Sequence, residues 1–377
     1  MSRRANREGS VYKRKDGRWV GVVDLGWENG RRRRKSVYGR TQSEVNAKMP
    51  AVRLDVQRGI PVPDERITVE QLLRDWLEVS ARPSVRASTY ACYEANVRLH
   101  LVPTLGRTRL VKLAPLDVER LLHAKRAAGL SPNTVRLIRV TLRRALQKAL
   151  EWGLVARNVA DLVSGPTITR KQVQPLTAEQ IRTFLAGVKG DELEALYVVA
   201  FTLGLRQGEI LGLRWQDIDL DADTLRVEQA LQRVGGQRQF GPPKSDRSMR
   251  ALVLPDLTAA ALRQHRLRQL EARLSAGERW QDQGLVFTTS IGTPCDPRKV
   301  TRLFQAHLKL LGLPHQRFHD ARHAAASLLL AQGSDLRSIM EVLGHSQISL
   351  TANTYSHLSQ EMKRDAAARM DAVFASS

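Results

Sequence analysis

The chain has 377 residues, which is enough for two or three domains with substantial cores. Lysine and arginine number 60 against 38 aspartates and glutamates, and the formal net charge of +22 favours a polyanionic partner, usually nucleic acid. No apolar stretch reaches spanning length, residues 1–30 lack a signal-peptide pattern, and the two cysteines match no metal or redox motif. These features exclude a membrane-spanning or disulfide-stapled protein, and we expect a soluble, cytoplasmic chain that binds nucleic acid.

Residues 1–60 form the most basic segment, with 16 Lys/Arg against 6 Asp/Glu. Short β-prone runs are separated by the turn signals Asp16-Gly17 and Glu28-Asn29-Gly30. The predicted elements are strands Ser10–Lys15, Arg18–Trp27 and Arg31–Gly39, followed by a helix over Thr41–Gln57. The pattern therefore indicates a small three-stranded antiparallel sheet plus a helix.

The third predicted strand begins with five consecutive basic residues, which would alternate between the faces of the sheet. A charged, solubilising arm is one interpretation. A sheet inserted into a DNA groove explains the pattern better, because β-sheets do serve as DNA readers. The candidate DNA contacts in this segment are Arg18, Arg31, Arg32, Arg33, Arg34 and Lys35.

Residues 61–165 read as an all-α, four-helix segment that follows a proline-containing linker. A capping box at Thr68–Gln71 opens the first helix, and Ser131-Pro132 provides an N-cap and a first-turn proline for the last. The first predicted helix runs from this capping box to about Val79, and the other three lie over Ser88–Leu101, Leu116–Ala128 and Asn133–Trp152. A break is predicted at Arg82-Pro83-Ser84 and a loop over Pro103–Arg109. Some of the basic residues must be merely solvated, but one stripe is expected to follow a phosphate backbone. The candidates are Arg86, Arg136, Arg139 and Arg143.

Residues 166–377 are expected to form a mixed α+β, mainly helical domain, which a capping box at Thr177–Gln180 opens. The predicted helices lie near 177–188, 191–203, 207–213, 256–275, 298–311, 319–332, 335–343, 347–354 and 360–374. The predicted strands are Thr224–Glu228, Leu231–Val234 and Ala251–Leu254.

Two segments of this domain place cations where an anion would bind. Arg206 follows an apolar helix that ends at a glycine and precedes a helix containing Glu209. An arginine in such surroundings requires an anion, and a simple salt bridge with Glu209 is the alternative. Lys244 lies between two β-prone runs at the tip of a hairpin or loop. An ordinary exposed lysine is the alternative there.

A second group of polar residues lies on or beside apolar helices near the C-terminus. His319 and Arg322 are spaced to share a helix face. His319 and His323 have the spacing of helical zinc ligands, but no glutamate or cysteine accompanies them, and we expect no metal. His345 follows a helix end, and Tyr355 lies ten residues later in a polar run. A lone tyrosine there would ordinarily be a packing residue.

Alternating aspartates resemble a calcium loop in part. Asp217 is followed by Glu228 at the twelfth position, but the sixth position is Ala222, where that loop requires glycine. A turn entering a strand is therefore the preferred interpretation.

Together these segments resemble the tyrosine recombinases, specifically the phage-type integrases. The order Arg, Lys, His-x-x-Arg, Leu-Gly-His and Tyr is complete in this chain. The resemblance implies an arm-type DNA-binding domain over 1–60, a core-binding helical domain over 61–165 and a catalytic domain over 166–377. It implies the catalytic set Arg206, Lys244, His319, Arg322, His345 and Tyr355, with Glu209 in a supporting role.

The implied reaction begins when Tyr355 attacks the scissile phosphodiester, expels a 5′-hydroxyl and forms a 3′-phosphotyrosyl link. Arg206 and Arg322 would stabilise the phosphate charge, and Lys244 would protonate the leaving oxygen. His319 would accept the tyrosine proton, and His345 would donate a further hydrogen bond to the phosphate. No cofactor and no ATP is expected.

The expected partner is double-stranded DNA at attachment sites, bound by a homotetramer in a bacterial cell and associated with the nucleoid. Residues Ser359–Phe374 resemble the helix that the family exchanges between protomers, and ordinary packing on the same domain is the alternative. A host DNA-bending protein and an excision factor are further expected partners. A noncatalytic regulator and a type IB topoisomerase are the rival functions. The complete catalytic set argues against the first, and the separate basic arm segment argues against the second.

Overall fold

The computed structural model describes residues 10–28, 31–57, 66–168, 174–234, 237–243 and 248–344, with side chains at all of these except 25–28, 31–33, 55–57 and 234. The chain divides into two compact units, residues 1–170 and 171–377. Within the described ranges, no helix is both long and apolar enough to cross a membrane.

The N-terminal sheet forms as predicted. Its strands are β1 (Ser10–Lys13), β2 (Trp19–Glu28) and β3 (Arg31–Gly39), antiparallel in the order β1-β2-β3, and α1 (Gln42–Gln57) follows. The helix approaches the sheet closely at Gly21, where an added Cβ would lie 2.6 Å from the Met49 sulfur. Val23, Val45 and Met49 form the buried core between helix and sheet.

The four-helix segment is confirmed as all-α among its described residues. Its α-helices are α2 (Val69–Asp75), α3 (Arg82–Ser84), α4 (Ala87–Asn96), α5 (Val102–Leu105), α6 (Pro115–Ala127) and α7 (Pro132–Glu151). Thr68 closes the predicted capping box on α2, and Ser131 caps α7. The apolar stripe of α7, with Val135, Ile138 and Leu142 fully buried, forms the centre of the core.

Two predicted interruptions in this segment were wrong. The prediction ended a helix at Arg82-Pro83-Ser84 and placed a loop at Pro103, yet both prolines lie within helices. Each follows a π-helical stretch, Trp76–Ala81 or Val97–Leu101, whose last turn closes with a bond to the residue five positions earlier: Arg82 to Leu77, and Val102 to Val97. A proline ring collides with the carbonyl four residues back in an α-helix. The wider π turn removes that collision, so the helix continues.

The second unit is mixed and mainly helical, as predicted. Its helices are α8 (Ala178–Gly187), α9 (Glu194–Thr202), α10 (Gln207–Ile210), α11 (Asp256–Ala276), α12 (Pro297–Leu310), α13 (Asp320–Ala331) and α14 (Leu336–Leu343). Its strands are β4 (Ile218–Asp219), β5 (Thr224–Val227), β6 (Ala230–Val234), β7 (Gln237–Gly241) and β8 (Arg250–Val253), arranged as the sheet β4-β5-β8 and the hairpin β6-β7. Strands β4 and β7 were not predicted. The predicted helices 347–354 and 360–374 lie outside the described residues.

The alternating aspartates form a hairpin turn, as the preferred interpretation predicted. Ile218 pairs with Leu225 across the β4-β5 hairpin. The Asp219 carboxylate accepts hydrogen bonds from the backbone N–H groups of Asp221 and Ala222, at 3.0 and 2.9 Å. That carboxylate therefore serves the turn itself.

Helix α9 lies at the centre of the second unit. Its residues from Ala195 to Phe201 are all buried, and it packs against α11 and α13. Aromatic rings from α8 and α12 pack against it, with Phe184 contacting Tyr197 and Phe304 at centroid distances of 5.2 and 5.3 Å. This rigid surrounding fixes the point where α9 ends, and the candidate site begins there.

Candidate active site

A left-handed turn at Gly204 places Arg206. Gly204 has a φ of 58°, a conformation that glycine adopts without strain. A Cβ at this position would lie 2.5 Å from the Leu343 side chain and 3.2 Å from the Cβ of Ala325. Only a glycine therefore lets the end of α9 approach α13 and α14 this closely. Two residues later, Arg206 occupies the N-cap position of α10.

Glu209 holds Arg206 at two points. Its carboxylate accepts from Arg206 Nη1 at 2.5 Å and from the Arg206 backbone N–H at 3.1 Å. Glu209 is 1% exposed, so the pair is shielded from water on the carboxylate side. The salt bridge that the sequence left open is present. It does not exclude an anion, because Arg206 has more donors than this pair uses.

Arg206 also joins two further segments of the chain. Its Nη1 donates to Ser248 Oγ at 3.1 Å, and its Nη2 donates to the Gly344 carbonyl at 3.1 Å. A guanidinium has five N–H donors. The contacts with Glu209, Ser248 and Gly344 use two hydrogens of Nη1 and one of Nη2 within the described part of the chain. Among the described residues, none accepts from the Nε–H or from a second Nη2 hydrogen, and an Nε and Nη2 edge can bind phosphate in a bidentate manner.

Arg322 reaches the same turn from α13. It is 2% exposed, and its Nη1 donates to the Gly204 carbonyl at 2.8 Å. A buried guanidinium is costly unless it is paired or hydrogen-bonded. Arg322 thus binds the turn that places Arg206, the other arginine that the sequence analysis assigned to phosphate charge.

His319 occupies the N-cap position of α13, beside both arginines. Partial burial lowers the pKa of His319 to about 4, and the charges of His323, Arg322 and Arg206 act in the same direction. The residue keeps an exposed surface, where water moderates the shift, but the direction favours a neutral imidazole at pH 7. The ring of His323 meets that of His319 edge-on at 5.3 Å. A neutral imidazole can accept a proton.

Lys244, His345 and Tyr355 lie outside the described residues, but the chain is described on both sides of the Lys244 segment and up to the residue before His345. Ser248, four residues after Lys244, contacts Arg206 through its hydroxyl. Gly344, immediately before His345, contacts Arg206 through its carbonyl. The four described residues of the predicted set are linked: Glu209 binds Arg206, Arg322 binds the Gly204 carbonyl, and both arginines act electrostatically on His319.

Arg250 was missed by the sequence analysis. Its side chain is 8% exposed and donates to Glu209 Oε2 at 3.4 Å, to the Val342 carbonyl at 2.7 Å and to the Ser248 carbonyl at 2.9 Å. Burial lowers the pKa of Arg250, and Glu209 counters that effect. The available signal was an arginine six residues after Lys244 on a β-prone run, but such a residue ordinarily faces solvent.

The basic candidates of the first unit lie on or beside the sheet and its connections and at helix α4, and Arg18 lies just before the strand that was predicted to begin with it. Arg18 and Arg34 are exposed, the first in the β1-β2 connection and the second on β3. The side chains of Arg31, Arg32 and Arg33 lie outside the described part, although their strand is described. Lys35 is partly buried and Arg86 is exposed at the N-cap of α4.

Three arginines on α7 share one face at a spacing of three and four residues. Arg136 donates to Asn133 Oδ1 at 3.1 Å, and Arg143 pairs with Asp161. Arg139 is partly buried, with its guanidinium 3.9 Å from the position of a Cβ on Gly165. Two of the three therefore have polar partners already, and these partners hold the side chains in place.

The sheet has an open face that the sequence analysis did not single out. Tyr12 and Tyr38 pair with Val20 from either side, which places all three on the face opposite the glycine that contacts α1. The tyrosines are 51% and 50% exposed, whereas Val20 is 2% exposed beneath them. Tyrosines on an open sheet face provide rigid contact area with a polar tip.

Comparison with known families matches both units. Residues 168–362 match the phage integrase family, and residues 68–125 match the N-terminal SAM-like domain of phage integrases. The chain is 30% identical to a tyrosine recombinase XerC-like protein of Caldanaerobacter subterraneus subsp. tengcongensis over 366 residues, which cover 92% of this chain and 94% of that protein.

Two solved structures share the fold. The Tn1549 transposon integrase in complex with transposon right end DNA is 22% identical, with a TM-score of 0.67 over 79% of this chain and 99% of that one. A lambda integrase tetramer bound to a Holliday junction is 18% identical, with a TM-score of 0.57 over 90% of this chain and 96% of that one.

The family matches of both units define a class of DNA strand-exchange enzymes. The chain belongs to the phage integrase family and is a tyrosine site-specific recombinase.

Proposed function

We propose that this recombinase breaks and rejoins DNA at attachment sites through Tyr355, without a metal ion or ATP, to integrate or excise a phage or another mobile element. The observation that carries the proposal is that Arg322 donates to the Gly204 carbonyl, two residues before Arg206, and that both arginines act electrostatically on His319. The Gly344 carbonyl also accepts from Arg206, and His345 is the next residue in the sequence.

The chemistry is a phosphoryl transfer in two steps, cleavage and rejoining, and the second is the reverse of the first. Tyr355 Oη forms a bond to phosphorus as the bond to the 5′ oxygen breaks, and the tyrosine proton passes to His319. Lys244 protonates the departing oxygen, and His345 donates to a nonbridging oxygen. Rejoining reverses these transfers with a new 5′-hydroxyl, so the covalent intermediate conserves the bond energy.

The arginines supply the electrostatic stabilisation. Charge develops on the nonbridging oxygens of the phosphate, and fixed donors in a partly dry site stabilise it strongly. Arg206 offers its Nε and Nη2 edge. Glu209 keeps that edge oriented, because it holds the opposite nitrogen at 2.5 Å.

Three domains divide the work in this proposal. Residues 1–60 bind arm-type DNA through the sheet, with Tyr12, Tyr38 and Arg34 on the open face. Residues 61–165 bind core DNA through the arginine face of α7, and residues 166–377 carry the chemistry. Two duplexes with two strands each require four active sites, so the working assembly is a homotetramer on DNA. The helix over Ser359–Phe374 is exchanged between protomers, and a host DNA-bending protein and an excision factor assist.

A covalent-adduct assay tests the proposal. Duplexes selected from a randomised library by binding to the full chain are nicked at successive positions and incubated with the protein in EDTA without ATP. The expected result on a denaturing gel is a protein–DNA adduct with the wild type and none with Tyr355→Phe. If DNA that the protein binds yields no adduct at any nick position, the noncatalytic regulator becomes the better conclusion.

The same duplexes distinguish recombination from topoisomerase activity. Relaxation of a supercoiled plasmid that lacks the selected sequence would favour the type IB topoisomerase, because that activity needs no specific site. Strand exchange between two duplexes that carry the selected sequence is the expected result.

A further inference from the structure

Arg250 contacts three separate segments that surround the active site. From the first position of β8 it donates to Glu209 on α10, to the Ser248 carbonyl in the preceding loop and to the Val342 carbonyl in the last turn of α14. At 8% exposure its side chain is too enclosed to donate to a DNA phosphate as well. Whatever it contributes to the reaction must therefore pass through the groups it holds.

The first of these groups is the carboxylate that orients Arg206. Glu209 Oε1 accepts from the Arg206 side chain, and Oε2 accepts from the Arg206 backbone and from Arg250. Two cations therefore bind the Glu209 carboxylate. The Arg206 side chain binds Oε1, and Arg250 binds Oε2. Loss of Arg250 would let the carboxylate rotate, and Arg206 would rotate with it.

The second group is the end of α14. The last carbonyls of a helix have no partner within the helix. Here Arg250 donates to the Val342 carbonyl and Arg206 donates to the Gly344 carbonyl. Two arginines therefore hydrogen-bond the end of α14, immediately before His345.

The third group is Ser248, which both arginines contact. Arg206 donates to its hydroxyl at 3.1 Å, and Arg250 donates to its carbonyl at 2.9 Å. This residue ends the segment that begins with Lys244. The buried Arg250 side chain thus contacts Ser248, just after the Lys244 segment, the end of α14, just before His345, and Glu209, the partner of Arg206.

We infer that Arg250 is a positioning residue for strand cleavage: it sets the orientation of Arg206 and the approach of the His345 and Lys244 segments to the scissile phosphate. The inference rests on the proposed function.

The test compares Arg250→Lys with a matched control, Arg268→Lys. A lysine retains the charge but cannot donate in three directions from one plane. Arg268 is also a partly buried arginine of the second unit, and it donates to the Asp191 carbonyl at 2.8 Å and to Glu194 at 3.0 Å. It lies away from Gly204, so its replacement reports the general cost of losing such contacts.

The measured quantities are the single-turnover rate of adduct formation and the dissociation constant for a binding-selected, nicked duplex. Arg250→Lys is expected to slow cleavage on the order of 100-fold, the effect of a misplacement of about 1 Å. Its dissociation constant should stay within about twofold of the wild type, because Arg250 contacts no phosphate. Arg268→Lys should cleave at nearly the wild-type rate.

A methylphosphonate at the scissile position separates positioning from general damage. This linkage lacks one charged nonbridging oxygen, so cleavage depends less on how Arg206 is aimed. The deficit of Arg250→Lys relative to the wild type should shrink at least tenfold on that substrate, about 1.4 kcal/mol in activation free energy. A purely structural defect would give the same deficit on both linkages.

Wild-type cleavage by Arg250→Lys, or an equal deficit on both linkages, would overturn the positioning role. Failure of the proposed function gives a different result: the wild type itself would form no adduct, whatever residue stands at 250.

Discussion

Gly204→Ala is expected to damage the catalytic unit through two separate costs. An alanine at a φ of 58° pays about 1–2 kcal/mol for the left-handed backbone. Its methyl group would lie 2.5 Å from Leu343 and 3.2 Å from Ala325, and overpacking of this kind costs about 1–3 kcal/mol. The sum is a loss of about 2–5 kcal/mol in the free energy of unfolding.

Gly190→Ala provides the control for the backbone term. Gly190 has a φ of 84°, and an added Cβ there meets no atom within 4 Å. Calorimetry of the full chain should show a fall in melting temperature of about 2–4 °C for each kcal/mol lost in a domain of this size. The reasoning fails if Gly204→Ala melts no lower than Gly190→Ala. Cleavage should also fall in Gly204→Ala alone, because the Gly204 carbonyl holds Arg322.

Three further predictions concern Glu209, His319 and the helical core of the first unit. Glu209→Gln leaves two arginines around a neutral amide and should cost about 3–5 kcal/mol in denaturant unfolding of the full chain, as for other broken buried pairs. His319 has a folded pKa below its ordinary value of 6.5, so the unfolded chain binds the extra proton: stability should be full above pH 6.5 and fall as the pH falls toward 4. The cleavage rate should hold until the pH nears 4, where His319 of the folded chain takes up its proton and the acceptor is lost. Thr141→Val removes the acceptor that Asn96 contacts at 2.9 Å in the helical core, and should cost about 1–3 kcal/mol in the unfolding of that unit.

Each of these has an outcome that contradicts it. A Glu209→Gln chain as stable as the wild type would mean that the amide satisfies both arginines. If His319→Gln kept the acidic limb of the cleavage profile, another group would be the proton acceptor. Thr134→Val is the control for Thr141→Val, because Thr134 is a partly exposed threonine on the same helix. Thr134→Val should lower the free energy of unfolding by less than Thr141→Val does.

The sequence predicted most elements well because their signals are local. Thr68 and Thr177 each lie three residues before a glutamine, and both capping boxes are present. The prolines at 83 and 103 misled the prediction because a π turn depends on the packing of the whole helix. The rule that proline breaks a helix applies to α-helical hydrogen bonding only.

The residues of the candidate site could be predicted from the sequence, but the hydrogen bonds between them could not. Arg206 and Arg322 could be assigned from the resemblance, and the structure brings them to one turn. The position of Arg250 could not be deduced, because its partners lie 41 and 92 residues away in sequence. Contacts between a strand, a short helix and a helix end arise only when the core has formed.

The N-terminal sheet also bears on how copies of this protein behave before they meet DNA. Among the described strands, β1 and β3 are the edges, and an open edge can pair with the edge of another molecule. Strand β3 begins with Arg31, Arg32, Arg33, Arg34 and Lys35. Like charges on two such edges repel each other. The residues assigned to DNA contact would therefore also discourage edge-to-edge aggregation, and neutralising them to weaken DNA binding should make the chain less soluble.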